Sequence, residues 1–154
     1  MKYEELSNVL IQRFPNLIKS INVEMDTFDC YKPGPNVLYG NVLNPYVKEL
    51  LEHENNKVAL QQVFKFYEEL AQSEDEEVKN LLQVTLLEAL WDDGITYDKA
   101  CEYMLPMTKH INGLIAEYFN SPPKWYEQWT LFFNARKKQE PAVVSYVIGF
   151  DLAH

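Results

Sequence analysis

The chain has 154 residues, a formal net charge of −9, and a composition with 47% apolar and 14% aromatic residues. A chain of this size can bury a core without metals or disulfides, and its apolar content excludes intrinsic disorder, so we expect a single domain over residues 1–154. No apolar run reaches the ~20 residues of a membrane span, and the N-terminus lacks the apolar segment of a signal peptide. We therefore expect a cytoplasmic protein that does not associate with membranes.

The negative charge is concentrated in one part of the chain. Eleven acids and two lysines lie between Glu68 and Glu102, which gives this stretch a net charge of −9, while the rest of the chain is balanced. Such a field opposes nucleic acid and anionic membranes and would steer a basic protein partner toward this surface. The alternative is that acids at helix starts stabilise the helices and aid solubility.

The first third of the chain predicts two helices and an irregular region. Residues Tyr3 to Arg13 have helical periodicity, and Pro15 suits the first turn of a second helix that continues to Met25. The residues from Asp29 to Asn44 contain a Lys-Pro-Gly-Pro-Asn turn and are predicted to form a long loop, either functional or a strap over a helix pair. Asn44 is expected to cap a short helix that follows it.

The stretch from Leu60 to Trp91 predicts two amphipathic helices around which the rest of the chain packs. Apolar residues recur at three-and-four spacing in both halves. Ser73 is expected to be the N-cap of the second helix, with Glu76 completing a capping box. The sequence Asp-Asp-Gly at residues 92–94 should end that helix, with Gly94 at its C-cap.

The remaining residues predict further helices. Thr96 is expected to cap a short helix, Pro106 to cause a bend or a restart, and Gly113 to mark a close helix crossing. An aromatic helix should follow the Ser-Pro-Pro sequence at residues 121–123. Residues 141–154 are rich in β-branched residues, which favours a short C-terminal strand. A final helix is the alternative in an otherwise helical protein.

Together these elements predict an all-α domain. It could be a helical bundle or a set of stacked antiparallel helix pairs. No residue motif repeats at a fixed period, which disfavours a true repeat protein.

The sequence contains no recognisable catalytic or metal-binding constellation. The three histidines, His53, His110 and His154, have no partner at metal-ligand spacing. Cys30 and Cys101 lie far apart and are expected to be free thiols in a reducing compartment. We therefore predict no catalytic residue, no metal and no cofactor.

An acidic segment at residues 92–98 superficially resembles a calcium loop. It lacks the ligand spacing, the central glycine and the distal glutamate of an EF-hand. A helix end followed by a helix start accounts for the same residues without an ion.

Three parts of the central stretch, residues 64–71, 76–81 and 86–90, resemble a family of small bacterial proteins of unknown function. This resemblance implies a helical fold and carries no activity and no site residues. By size, acidity and helical make-up, the chain is also similar to immunity proteins that neutralise bacterial toxins. That second resemblance implies a protein partner, of which a toxin is one example.

The leading hypothesis is a non-enzymatic bacterial domain that binds a basic protein, and an acidic immunity protein that neutralises a basic toxin is one form of it. The acids would set the association rate and specificity, and an exposed aromatic side chain would supply affinity. The predicted partner-binding residues are Glu68, Glu69, Glu74, Asp75, Glu76, Glu77, Asp92, Asp93, Trp125 and Tyr126.

Two other hypotheses remain open at this point. One is an enzyme or small-molecule-binding protein with a pocket under the loop at residues 29–44, which would contain a carboxylate or histidine with a shifted pKa. The other is a homo-oligomer that buries its aromatic surface against itself. The sequence does not determine the oligomeric state.

Overall fold

The structure of the chain is a computed structural model that describes residues 1–27 and 32–120. Of these residues 85% are helical, and no strand occurs among them, which confirms the all-α prediction. The predicted aromatic helix and the C-terminal segment at residues 141–154 lie outside the described residues. The described helical segments are α1 (residues 3–13), α2 (15–27), α3 (35–52), α4 (57–71), α5 (76–92), α6 (94–103) and α7 (106–120).

Helices α1 and α2 form where the sequence predicts them. Pro15 begins α2, because its fixed φ suits the first turn of a helix and its missing N–H is not needed there. Leu6 and Leu10 of α1 and Ile21 of α2 are buried against the core. The break between the two helices is therefore the one expected from Pro15.

Helix α3 replaces most of the predicted loop at residues 29–44. It begins as an α-helical turn, Pro35–Leu38, continues as a π-helix, Tyr39–Leu43, and ends as an α-helix, Asn44–Glu52. The loop prediction was wrong because proline is favourable in the first turn of a helix, and because the apolar residues after it lie at helical spacing and become buried. Those buried side chains are Leu38, Tyr39, Val42 and Leu43.

Asn44 lies inside the continuous helix α3 and is not its N-cap. Its side-chain amide Nδ2 donates a hydrogen bond of 2.9 Å to the backbone oxygen of Thr85 in α5. The residue therefore joins two helices instead of starting one.

Helix α5 has a different N-cap residue from the one predicted. Asp75 is the N-cap of α5, and its Oδ1 accepts a hydrogen bond of 2.9 Å from the backbone N–H of Glu77. Ser73 Oγ instead accepts a hydrogen bond from the backbone N–H of Asp75 and donates one to the backbone oxygen of Met1. The capping box of Ser73 and Glu76 is therefore absent, since Ser73 Oγ accepts from the N–H of Asp75 and Asp75 itself caps the helix.

Helix α5 ends at Asp92, where the sequence predicts its end. Asp93, and not Thr96, is the N-cap of α6: its Oδ1 accepts a hydrogen bond of 3.0 Å from the backbone N–H of Ile95. Gly94 is the first residue of α6 and has an ordinary negative φ, so it does not form the predicted C-cap.

Helix α7 restarts at Pro106 after two residues of non-helical backbone, which confirms the predicted interruption. Gly113, in contrast, is exposed, and a Cβ placed on it would have no atom within 4 Å. The predicted close crossing at Gly113 was wrong.

Helix α4 contributes a large share of the core. Its residues Phe64, Phe66 and Tyr67 are almost fully buried, and Phe66 packs edge-to-face on Phe14, between α1 and α2, with ring centroids 5.5 Å apart. Buried apolar side chains from α1 to α7 form one cluster around it. None of the helices in the described part of the chain is long and apolar enough to cross a membrane.

Candidate functional site

A groove of about 440 Å³ opens between helix α3, the end of α5 and the start of α6. Its floor is apolar and includes the buried side chains of Val47, Leu51 and Leu90. Its polar lining comes from both sides of the groove: Asn44, Lys48, Asp92, Asp93 and Thr96. An apolar floor with a few polar groups around it is typical of a binding site.

Two π-helical segments, Tyr39–Leu43 in α3 and Leu81–Leu87 in α5, pack against each other beside the groove, and Gly40 of the first lines it. A Cβ placed on Gly40 would lie 3.5 Å from Thr85 Cγ2, an ordinary contact distance. Thr85 Oγ1 also accepts a hydrogen bond of 2.9 Å from Asn36 Nδ2. Since π-helical turns are rare and occur frequently at functional sites, this pairing adds to the case for the groove.

The C-terminal end of α3 is fixed by a lysine from α6. Lys99 Nζ donates hydrogen bonds of 3.1 Å to the backbone oxygens of Leu51 and His53. These carbonyls lie at the end of α3, where a cation is favourable. The groove is therefore held on its α3 side by hydrogen bonds to both α5 and α6.

The carboxylates at the groove have different surroundings. Asp92 is exposed, whereas Asp93 is held by its hydrogen bond to Ile95. Lys48 lies on the opposite side, with its Nζ 3.8 Å from a carboxylate oxygen of Glu52. Because Glu52 offsets the charge of Lys48, the groove is left with an excess of negative charge.

Glu88 lies one turn before Asp92 on α5 and is half-buried. Burial, with a smaller contribution from the charge of Asp92, raises the pKa of Glu88 to about 7. Its Oε2 is buried and has no hydrogen-bond partner among the described residues. Glu88 is not among the residues that line the groove, so this groove does not contain the carboxylate with the raised pKa.

A second, more polar cleft of about 670 Å³ lies at the opposite end of α5, between the N-terminus and the α4–α5 turn. Its acidic lining residues are Glu4, Glu69, Glu74 and Asp75. Two of these are engaged within the chain. Both side-chain oxygens of Glu69 accept hydrogen bonds from the guanidinium of Arg13.

Asp75 is the other engaged acid of this cleft. Its carboxylate accepts hydrogen bonds of 2.9 Å from the backbone N–H groups of Tyr3 and Glu77, and these bonds lower its pKa. Beside it, Glu76 forms an ion pair with Lys79, at 2.6 Å. The exposed residues Glu74 and Glu77 are the remaining predicted contact residues at this end of α5.

Glu68 is not on the acidic surface, although the sequence places it among the contact residues. It is 8% exposed, and its carboxylate accepts hydrogen bonds from the backbone N–H of Met107 at 2.8 Å, the backbone N–H of Thr108 at 2.9 Å and Thr108 Oγ1 at 2.8 Å. These donors are in the first turn of α7, where backbone N–H groups have no partner inside the helix. Glu68 therefore joins α4 to the start of α7 and is not available to a partner.

The structure thus divides the predicted contact residues between the two ends of α5. Residues 76–92 span roughly 20–25 Å of helix, so the cleft near Glu74 and the groove near Asp92 are separate surfaces. Trp125 and Tyr126 lie outside the described residues. The groove is also lined by Gly40, Asn44 and Lys48, which were not predicted from the sequence. Their signal in the sequence is weak: a glycine and an asparagine within an apolar run.

The two histidines of the described part, His53 and His110, are both exposed. Within residues 1–27 and 32–120, no group of three or more His, Cys, Asp or Glu side chains is arranged to hold a metal ion.

Comparison with known protein families gives a match over most of the chain. The model of the family described as "Domain of unknown function (DUF7674)" matches residues 7–118. No curated protein and no solved structure matches the chain.

Proposed function

The chain belongs to the DUF7674 family of domains of unknown function, and we propose that it is a non-enzymatic domain that binds a basic protein. The observation that carries this proposal is the location of the charge. The whole net charge of −9 lies between residues 68 and 102. Exposed carboxylates occur at both ends of α5, with Glu74 and Glu77 at its start and Asp92 at its end.

This distribution has a physical consequence for association. Carboxylates on one part of a surface raise the encounter rate with a positively charged partner and disfavour acidic ones. The apolar floor of the groove at Val47, Leu51 and Leu90 can supply the desolvated area on which affinity depends. Steering would then come from the acids at both ends of α5, and affinity from the groove beside Asp92.

We further propose that the basic partner is a bacterial toxin that the domain neutralises in the cytoplasm. The support for this form of the function is the small, acidic and helical character of the chain. A protein that only covers its partner needs no catalytic group, and binding surfaces are what the described residues offer.

The test of partner binding uses the immobilised chain, host lysate and matched variants. Glu74→Lys with Glu77→Lys, and Asp92→Lys with Asp98→Lys, reverse charge at the two ends of α5. Glu49→Lys with Glu54→Lys makes the same change in net charge on exposed residues outside the acidic stretch. We expect a basic protein to be captured by the wild type and the control, and its association rate to fall by about tenfold or more in at least one of the α5 variants at low salt.

Equal capture by all three variants and the wild type would overturn the proposal. Toxin neutralisation is tested separately, by expressing the captured protein alone and together with this chain. We expect growth arrest that co-expression relieves. A captured basic protein that is harmless when expressed alone would remove the toxin proposal and leave the binding proposal in place.

A further inference from the structure

The groove at the end of α5 has an apolar floor that is already formed. Val47, Leu51 and Leu90 line it, although each is less than a tenth exposed. The hydrogen bonds of Asn44 to Thr85 and of Lys99 to the end of α3 fix the flanking helices. A preformed apolar surface favours an apolar group, because placing a charge on it would lose hydration without replacement.

The polar groups beside this floor offer oxygen acceptors. Asn44 uses its Nδ2 to bond Thr85, which leaves its side-chain oxygen as an acceptor. Thr96 Oγ1 donates to the backbone oxygen of Asp93, so its remaining capacity is also that of an acceptor. Together with the carboxylates of Asp92 and Asp93, these groups complement a ligand rich in donors.

The net charge beside the groove also favours a positively charged ligand. Lys48, the lysine that lines the groove, is offset by Glu52, whereas Asp92 is exposed. A cation placed next to Asp92 would therefore meet a negative field, and an anion would be repelled.

We propose that the groove receives a short segment of the basic partner, with an apolar side chain on the floor and a neighbouring arginine or lysine paired with Asp92. This inference rests on the proposed function and adds the location and the chemistry of the contact. The volume of 440 Å³ is in the range of a small ligand site and can hold more than one side chain.

The first experiment measures binding of defined peptides by chemical shifts in two-dimensional NMR of the labelled full chain. The probes are N-acetyl-Leu-Arg-Leu-amide, the matched peptide with glutamine in place of arginine, and the matched peptide with alanine in place of both leucines. We expect the first peptide to shift the amide signals of groove residues such as Ala89 and Thr96. We expect the other two to bind about three- to tenfold more weakly, because each lacks one of the two contacts.

The groove variant is Ala89→Trp, since Ala89 is exposed and lines the groove. Its control is Gln61→Trp, an exposed residue on α4 that does not line it. We expect Ala89→Trp to weaken peptide binding by about tenfold or more and Gln61→Trp to leave it unchanged. Circular dichroism and thermal unfolding establish that both variants are folded.

Three results would overturn the inference: no shifts at groove residues, equal binding of all three peptides, or equal binding by Ala89→Trp and wild type. Tighter binding of butylammonium than of the arginine peptide would also overturn it, in favour of a small organic cation. Binding of the captured basic protein to the variants shows whether only the groove proposal fails or the proposed function fails as well. If Ala89→Trp retains that protein while Glu74→Lys with Glu77→Lys loses it, the domain binds a basic partner, but not through this groove.

Discussion

At the scale of single residues, Glu68 shows how a buried carboxylate can fix the position of a helix. Its three hydrogen bonds from Met107 and Thr108 occupy both carboxylate oxygens. Alanine at this position would leave the backbone N–H groups of both residues buried or partly buried without a partner. An unsatisfied buried donor costs more than the net contribution of the bond that it lost.

We therefore expect Glu68→Ala to lower the free energy of unfolding by about 2–3 kcal/mol. Urea denaturation monitored by circular dichroism gives this quantity. The control is Glu49→Ala, which changes an exposed glutamate on α3 and should stay within about 0.5 kcal/mol. Similar values for the two variants would show that the anchoring of α7 by Glu68 is energetically unimportant.

Glu88 gives a prediction about pH. Its pKa is about 7 in the folded chain and 4.5 ordinarily, so between these values the unfolded chain releases a proton that the folded chain retains. The stability associated with Glu88 is thus fully present below pH 4.5 and is lost as the pH rises through about 7. Glutamine at this position cannot ionise, so the variant Glu88→Gln should not lose this stability as the pH rises.

We expect Glu88→Gln to be more stable than the wild type at pH 8, by about 1 kcal/mol once solvent screening of this half-buried group is included. At pH 4 the two proteins should be closely similar. Thermal unfolding across this pH range tests the expectation. A stability difference that is the same at both ends of the range would show that Glu88 does not titrate as described.

At the scale of elements, the two ends of α5 use their acids in different ways. Glu76 and Glu77 lie in its first turn, where negative charge is favoured by the helix dipole. At the other end, Asp92 lies four residues after Glu88, and its charge contributes to the raised pKa of Glu88. The second arrangement is repulsive, and it adjoins the groove.

Neutralising one acid at each end should therefore change stability in opposite directions. We expect Glu77→Gln to lower the free energy of unfolding by about 0.3–1 kcal/mol through the lost dipole interaction. Asp92→Asn should raise it by about 0.2–0.5 kcal/mol at pH 8, where Glu88 is ionised. Urea denaturation of both variants at pH 8 measures these changes, and a loss of stability in Asp92→Asn would contradict this account of α5.

The elements also show what sequence patterns can and cannot predict here. Pro15 and Pro106 mark helix starts because proline acts through its own backbone, and both predictions are confirmed. The predicted caps at Ser73 and Thr96 were wrong, since in each case an aspartate nearby makes the capping bond. The other carboxylate oxygen of the capping residue Asp75 accepts a hydrogen bond from the backbone N–H of Tyr3, a contact that spans 72 residues and forms no local sequence pattern.

The negative charge of the candidate site could be predicted from the sequence, but the arrangement of its side chains could not. The acidic stretch is visible in the composition, and Asp92 and Asp93 do line a groove. The burial of Glu68 depends on Thr108, which lies 40 residues away and forms no pattern with it. Similarly, Asn44 joins the groove wall through Thr85 of another helix. Such tertiary contacts decide which acids stay on the surface.

At the scale of the whole molecule, the net charge of −9 opposes compaction. Like charges held on a compact surface repel one another more than they do in an extended chain, and salt screens this repulsion. Some acids are locally compensated, as Glu69 is by Arg13 and Glu76 is by Lys79. The acids without such partners dominate the field of the folded chain.

Raising the salt concentration from ~10 mM to ~500 mM NaCl should therefore raise the midpoint of thermal unfolding by a few degrees at pH 8, because the Debye length falls from about 30 Å to a few ångströms. In the variant Asp92→Lys with Asp98→Lys, the net charge is −5, since two acids become two bases. This variant should start from a higher midpoint at low salt and gain less from added salt.

The control for this comparison is Glu49→Lys with Glu54→Lys, which has the same net charge but retains the acids near the groove. If global repulsion dominates, the two variants should respond to salt alike. If the local excess around Glu88 and Asp92 dominates, only the variant at Asp92 should lose its salt dependence. A fall of the wild-type midpoint in salt would mean that attractive pairs such as Arg13 with Glu69 outweigh the repulsion.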